Sequence, residues 1–377
     1  MIFALWTEGI TTTSRSMMNL PFRTMVHRRS GLLLLLMVFI AAVLLLELQV
    51  QDLHNERDKQ IREDIGNKHA RRLQKDGTAS VLADDFRQAP GPVVIYNRVP
   101  KTGSTSFTGL AYSLCEQNRF NVLHVATVGN SHVLSVQDQM TIVRNMSSWT
   151  TKHPAFFHGH FAYIDFPSFG STLNPLYVNM VRSPLERFIS YYYFLRHGDD
   201  LRPSLSRHRS RNNETLDECV LKKGYYCAPD RMWIQVPFFC GHNPECWKPG
   251  SKWALEQAKF NLVNHYFLVG VTEHMEEFVA IVEAALPNMF KGALELFQSG
   301  EKSHLRRTLQ KMEPSPYTLD TLRNSEVWRM EDKFYRFALE TFRTSATRSL
   351  SRLSNNKIEF VGTQFSYHKV HPRSKHS

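Results

Sequence analysis

The chain has 377 residues, 42% of them hydrophobic and 12% aromatic, so one sizeable core remains even after an anchor and a stem are set aside. Its 46 Lys and Arg against 35 Asp and Glu leave a net charge of +11. That balance argues against a cationic partner and points to nucleic acid, an anionic lipid surface or an acidic polysaccharide. Charge alone does not choose among these, but the compartment does.

In chain order, the first feature is Gly31 to Leu46 (GLLLLLMVFIAAVLLL), which carries no charge and predicts a membrane span. It is short against the roughly 20 residues usually needed, which suits a thin early-secretory bilayer. A cleaved signal peptide is disfavoured, because the run starts well inside the chain and no small-x-small site follows Leu48. Arg23, His27, Arg28 and Arg29 precede the span, and Glu47, Asp52 and Glu56 follow it. The positive-inside rule then puts residues 1–30 in the cytosol, 31–48 in the membrane and everything later in the lumen. A lumenal chain leaves a polysaccharide as the partner rather than nucleic acid. Residues 49–89 are charged and nearly free of aromatics, with Leu53, Ile61, Ile65 and Leu73 loosely at helical spacing, and read as a stem.

Pro90-Gly91-Pro92 closes the stem and opens the domain expected over 90–377. Strands are predicted at Val93 to Asn97 (VVIYN), Val122 to Val125, Ala155 to Phe157 running into His158, Leu176 to Val181 and Phe267 to Val271. Helices are predicted at Ser106 to Asn118, Val136 to Met146, Pro184 to Phe194, Lys252 to Asn264, Glu273 to Leu286 and Glu326 to Arg343. This alternation predicts an α/β fold with a central, largely parallel sheet flanked by helices, resembling P-loop architecture.

After VVIYN come Arg98-Val99-Pro100 and then Lys101, Thr102, Gly103, Ser104, Thr105 and Ser106. A strand, a small-residue loop and a helix N-terminus can hold a phosphate through backbone N–H groups, with Lys101 adding a point charge and four hydroxyls adding donors. The Walker order of G-x-x-x-x-G-K-[ST] is absent, because Lys101 precedes the Gly. An N-capped helix after a strand would use the same residue types. A second junction follows Leu176 to Val181, where Arg182 ends the strand and Ser190 lies about two turns into a Tyr-rich helix. Both can reach one anion at the carboxyl edge of the sheet; a plain surface salt bridge is the other reading for Arg182.

Between these lies Phe157-His158-Gly159-His160-Phe161. Two imidazoles at i and i+2 on a strand share a face and offer a general base. A metal pair is the rival role, but no nearby Cys, Asp or Glu completes a ligand set, and no metal is expected. Two sequons, at Asn145 and Asn213, fit a lumenal domain. Four of the five Cys cluster; in an oxidising lumen Cys219 with Cys227 and Cys240 with Cys246 read as two short-loop disulfides, with a zinc site as the alternative. Arg98, Arg202, Arg207, Arg209, Arg211, Arg306 and Arg307 can offer guanidinium forks to carboxylates and sulfates.

The motifs YNRVPKTGSTSF, FFHGHFAYIDF, RSPLERFISYYYFLRHGDD, FFCGHNPECW and YFLVGVTE together resemble those of the heparan sulfate 2-O-sulfotransferases, from about Val93 to the C-terminus. The resemblance implies a Golgi enzyme, a single-pass type II membrane protein that acts as a homotrimer. Its co-substrate would be 3′-phosphoadenosine 5′-phosphosulfate and its acceptor a heparan sulfate chain. It implies donor contacts by Lys101 to Ser106, Arg182, Ser190, Ser303, Thr308 and Lys311. It implies sugar contacts by Arg98, Tyr112, His124, Tyr191, Arg202, Arg207 and Arg306, with Arg207 reading a pre-existing N-sulfate. Catalysis would fall to His160 as base, His158 as a supporting or alternate base, and Lys101. A uronyl 2-O-sulfotransferase acting on dermatan or chondroitin sulfate would share the donor site, and a silent heparin-binding relative would share the fold. A lumenal kinase would want a Mg-binding carboxylate after the phosphate loop, and no convincing one is present.

Overall fold

The computed structural model describes residues 91–200, 213–300, 308–352 and 358–362, with Gln49 and Phe365 besides. The chain divides into two compact units, Met1–Ile61 and Arg62–Ser377, and all the described residues except Gln49 belong to the second. The predicted span and, apart from Gln49, the predicted stem lie outside the described residues, as do Arg202, Arg207, Arg209, Arg211, Ser303, Arg306 and Arg307. Among the described residues, no helix is long and apolar enough to cross a membrane.

The first half of the domain runs β1 (Val93–Asn97), α1 (Ser104–Leu114), β2 (Asn121–Val125), α2 (Val136–Ser148), β3 (Ala155–Gly159), β4 (Leu176–Val181) and α3 (Pro184–His197). The chain continues through α4 (Leu216–Leu221), α5 (Gln235–Cys240), α6 (Lys252–Asn264), β5 (Tyr266–Val271), α7 (Met275–Ala285), α8 (Pro287–Phe290), α9 (Ala293–Gln298), α10 (Pro316–Arg323) and α11 (Glu326–Ser349). A small antiparallel pair, β6 (Leu350–Arg352) and β7 (Ile358–Phe360), follows. Strands β1 to β5 form one five-stranded sheet in the order β2-β3-β1-β4-β5, and every pairing in it is parallel.

The central place of β1 explains its composition: all five of its residues are buried, because helices cover both faces of such a sheet. Adjacent side chains point to opposite faces. Tyr96 meets Phe107 of α1 edge-on, with ring centroids 5.3 Å apart, and Phe107 stacks in turn on Phe290 of α8. Asn97 faces the other way, where its carbonyl and side-chain oxygen accept from Asn179 Nδ2 at 2.8 and 3.0 Å, and the side-chain oxygen also accepts from the Tyr266 hydroxyl at 3.0 Å. That buried network joins β1, β4 and β5 directly below the loop that follows β1. Phe239 of α5 packs between Tyr266 and Phe334 of α11 on the same side.

Helix starts follow the capping residues. Ser135, Ser251, Ser315 and Ser325 each accept from a backbone N–H in the first turn of α2, α6, α10 and α11. Helix α1 begins two residues before the predicted Ser106, at Ser104, because Gly103 adopts the left-handed conformation that turns the loop into the helix. Past Leu114 the turn continues to Asn118 and closes in a Schellman pattern: Phe120 N–H donates to the Cys115 carbonyl and Arg119 N–H to that of Glu116, with Arg119 at φ 55°. Two disulfides, Cys219–Cys227 and Cys240–Cys246, staple the irregular stretch between α4 and α6, in the pairing that the spacing predicts.

Candidate active site: a cationic cleft at the carboxyl edge of the sheet

From β1 the chain goes to β2 on one side, and from β4 it goes to β5 on the other. The loops after β1 and β4 therefore part, leaving the crevice where open parallel sheets take ligands. The cleft here holds about 570 Å³ and is lined by Arg98, Lys101, Gly103, Ser104, Thr105 and Ser106 from the first junction, and by Arg182, Ser190, Tyr191 and Phe194 from the second. His160, His132 and Asn130 close one side, and Thr272, Met275 and Phe297 another. Among the described residues, three fixed cations and no carboxylate line it, a lining that draws polyanions. A volume of this size suits a small-molecule ligand such as a nucleotide.

The loop after β1 is shaped by its own bonds. Thr102 is fully buried, and its hydroxyl donates to the Val99 carbonyl at 2.9 Å, so its side chain pins the loop rather than facing the cleft. Thr272 donates to the carbonyls of both Thr102 and Val181 and ties the first junction to the second. A Cβ on Gly103 would lie 2.5 Å from Met275 Cε, so the loop and α7 meet where only glycine fits without a shift. Lys101 Nζ donates to Thr308 Oγ1 at 2.9 Å and lies 4.3 Å from the centre of the Phe194 ring. The Ser190 and Thr308 hydroxyl oxygens are 3.1 Å apart. Lys101, Ser190 and Thr308, drawn from three distant stretches of sequence, thus converge on one point.

Arg182 pairs with Glu186 at 3.2 Å, and Lys311 pairs with the same carboxylate at 2.9 Å. Lys311 does not line the cleft; it is linked to Arg182, which does, through their shared partner Glu186.

His158 and His160 go to different neighbours. Strand β3 ends at Gly159, so the alternation that would keep the two on one face stops before His160. The His160 ring turns to the Arg98 carbonyl, with Nδ1 at 2.7 Å, and lines the cleft. A carbonyl can only accept, so Nδ1 carries the proton and Nε2 is left with its lone pair. Burial, and next the nearby Arg98 guanidinium, push the His160 pKa down to about 3, so the ring is neutral at neutral pH. Gly159 permits the tight passage of this segment, since a Cβ there would meet the Val125 carbonyl oxygen at 2.5 Å.

His158, by contrast, is only 3% exposed. Its Nε2 is 2.9 Å from the Tyr112 hydroxyl, and its ring stacks on His124 with centroids 4.9 Å apart. Burial first, then Arg98 and His124, lower its pKa to about 3. The structure thus gathers Tyr112 and His124 around His158, and neither lines the cleft. Of the sequons, Asn145 is half-buried in the last turn of α2, whereas Asn213 is exposed just before the Thr215 cap of α4.

Sequence reasoning missed His132, Gln235, Thr272 and Met275. His132 stacks beside Trp247, and its Nδ1–H donates to the His160 carbonyl at 3.1 Å, so it repeats the anchoring that His160 itself uses. Only Gln235 carried a sequence signal, as the lone polar residue in the apolar run Ile234 to Phe239.

The sulfotransferase family model matches residues 84–338. The chain is similar to heparan sulfate 2-O-sulfotransferase 1 of Gallus gallus, with 48% identity over 346 residues covering 91% of this chain and 96% of the relative. It is 46% identical to the Homo sapiens protein of the same name over 344 residues, with the same coverage. It is 49% identical over 301 residues to the heparin sulfate O-sulfotransferase of Drosophila melanogaster, covering 80% of this chain and 85% of the relative. A five-stranded parallel sheet, a hydroxyl-rich loop leading into a helix, and matches of this length point the same way: the chain belongs to the sulfotransferase family, in the group of the heparan sulfate 2-O-sulfotransferases.

Proposed function

We propose that the chain transfers a sulfuryl group from 3′-phosphoadenosine 5′-phosphosulfate to the 2-O position of a uronic acid, mainly iduronate, in heparan sulfate. One observation carries this reading: an imidazole with its Nε2 lone pair unengaged shares a cleft with Lys101 and the hydroxyl loop. The relatives' names support the acceptor.

In the reaction, His160 Nε2 takes the proton of the acceptor hydroxyl as its oxygen bonds to sulfur and the bond from sulfur to the 5′-phosphate oxygen breaks in line. The electron pair leaves with the phosphate, and Lys101 with the N–H groups at the start of α1 compensates that charge. Arg182 and Ser190 hold the donor's 3′-phosphate. Ser303, Thr308 and Lys311 close that end, with Lys311 acting through Glu186. Arg98, Tyr191, Arg202, Arg207 and Arg306 meet the sulfated chain, and Tyr112 and His124 extend that surface around His158. His158, tied to the Tyr112 hydroxyl, supports this wall of the site.

The same reading makes residues 1–30 a cytosolic tail, 31–48 a signal anchor, 49–89 a lumenal stem and 90–377 the catalytic domain of a Golgi type II protein that works as a homotrimer. The basic flank before Gly31 and the two disulfides support it.

Labelled donor is incubated with the chain and either N-sulfated heparosan or dermatan sulfate, and the label is mapped by disaccharide analysis. Label at the uronate 2-O of the heparan-type chain is expected. Label on dermatan alone would move the acceptor to that polymer, and label on neither would reduce the chain to a binder.

A further inference from the structure

We propose that Gln235 is a positioning residue for the donor site, whose carboxamide fixes the main chain of Arg182 and so aims its guanidinium at the 3′-phosphate. The proposal rests on the reading of Arg182 as a ligand of that phosphate.

The pairing of β1 with β4 stops at Tyr96 opposite Val178, and Arg182 is the first residue past the end of β4. On that side the ladder has run out, and the peptide groups of Arg182 need other partners. Gln235 supplies both. Its Oε1 accepts from Arg182 N–H at 2.9 Å, and its Nε2 donates to the Arg182 carbonyl at 2.9 Å. A planar side-chain amide thereby replaces the peptide that a neighbouring strand would have offered.

Gln235 is 0% exposed, and its own backbone is bracketed: Glu331 Oε1, from α11, accepts from Ile234 N–H at 2.9 Å and Val236 N–H at 3.1 Å. Glu331 is equally buried. The next residue is held at one point, since Ser183 N–H donates to Glu273 Oε1 at 3.0 Å. A route of direct hydrogen bonds thus runs from α11 through Gln235 to Arg182, which lines the cleft. Mere packing needs no amide here, because the rest of α5 is apolar apart from its terminal Cys240. A two-point bond to one residue's N–H and C=O sets the direction of that residue's side chain.

The test uses adenosine 3′,5′-bisphosphate and adenosine 5′-monophosphate as calorimetric probes of the detergent-solubilised full chain. The ratio of the two Kd values isolates the contribution of the 3′-phosphate. In Gln235→Leu this ratio should shrink about tenfold, the scale of one hydrogen bond to a charged group, with monophosphate affinity changed by less than about twofold. Arg182→Ala should shrink it at least as much. A wild-type ratio in Gln235→Leu beside a reduced one in Arg182→Ala would overturn the clamp and leave the donor reading standing. An unchanged ratio in Arg182→Ala would instead overturn the donor reading, and the proposal with it. Equal weakening of both nucleotides in Gln235→Leu would reduce Gln235 to a structural residue. Should the Leu chain not fold, Gln235→Asn, which keeps the amide one methylene short of its partners, is read by the same ratio.

Discussion

The imidazole of His160 is anchored by the main chain of Arg98, Nδ1 to carbonyl oxygen at 2.7 Å, while the side chain of the same arginine helps keep the ring uncharged. Arg98 therefore fixes the tautomer and adds to burial, the larger cause, in keeping the ring neutral. His160→Ala should lower kcat by about 100-fold or more, the size of a lost general base, with donor affinity retained in a calorimetric titration. His158→Ala, which removes a ring already engaged by Tyr112, should cost less than about tenfold. Equal losses in the two variants would take the base assignment away from His160.

A second expectation concerns pH and stability. The pKa values of His158 and His160 are held down to about 3, and that of His242 to about 4, with burial the first cause in each. In the unfolded chain a His titrates near 6.5, so between about pH 6.5 and 4 the unfolded state binds protons that the folded state refuses. Stability should fall on acidification through that window, each such His adding a slope that approaches about 1.4 kcal/mol per pH unit. Above about pH 7 these groups add no slope. Urea midpoints at pH 5 and pH 7.5 measure it; His158→Gln should lessen the difference, and equal midpoints in the native chain would contradict the buried neutral rings.

The same electrostatics separates the two kinetic profiles. Burial and then Arg98 depress the His160 pKa, and bound sulfate and phosphate groups would offset that guanidinium. The acid limb of kcat, which reports the bound state, should then lie at higher pH than the acid limb of kcat/KM for the donor. Coincident limbs would show that the ligand does not reach the field of Arg98.

Much of the site was legible because each half of it is local in sequence. The strands Val93–Asn97 and Leu176–Val181 and the helix Lys252–Asn264 fall where hydrophobic runs and caps place them, and the loops that follow the two strands hold the cations and hydroxyls. Less legible were the short helices α4 and α5, since six residues give too little periodicity, and Pro237 inside α5 argues against a helix. The separation of His158 from His160 was hidden because it depends on β3 ending one residue before His160. Gln235 and Thr272 were missed as parts of the site because their roles are bonds to backbone 53 to 170 residues away, which no local pattern records.

The disulfide between Cys240 and Cys246 holds the segment that leaves α5, the helix carrying Gln235. Closing so short a loop is worth about 2 kcal/mol by chain entropy. The Cys240→Ser, Cys246→Ser double variant should therefore unfold at lower urea. Because Trp233 Nε1 donates to the Cys246 carbonyl, its tryptophan emission should change as well. An unshifted midpoint would mean that packing around Phe238 and Trp247 holds the segment without the bond.

Gly103 combines two demands that can be told apart by substitution. Its φ of 74° is left-handed, a conformation that costs an ordinary L-residue about 1–2 kcal/mol, and an added Cβ would sit 2.5 Å from Met275 Cε and 3.3 Å from Thr272 Cγ2. The Met275 methyl terminates a flexible side chain and can swing aside, whereas Thr272 is bonded to the Thr102 and Val181 carbonyls and gives little. Backbone strain should therefore dominate. Gly103→Ala is expected to lower Tm by a few degrees and to weaken donor binding about tenfold or more, as the N–H groups at the start of α1 lose their aim. Gly103→Asn, which brings the same Cβ but tolerates the left-handed region, should lose less on both counts. If Asn is as damaging as Ala or worse, and Met275→Ala restores donor binding to either variant, the contact with Met275 rather than the backbone angle is what reserves this position for glycine.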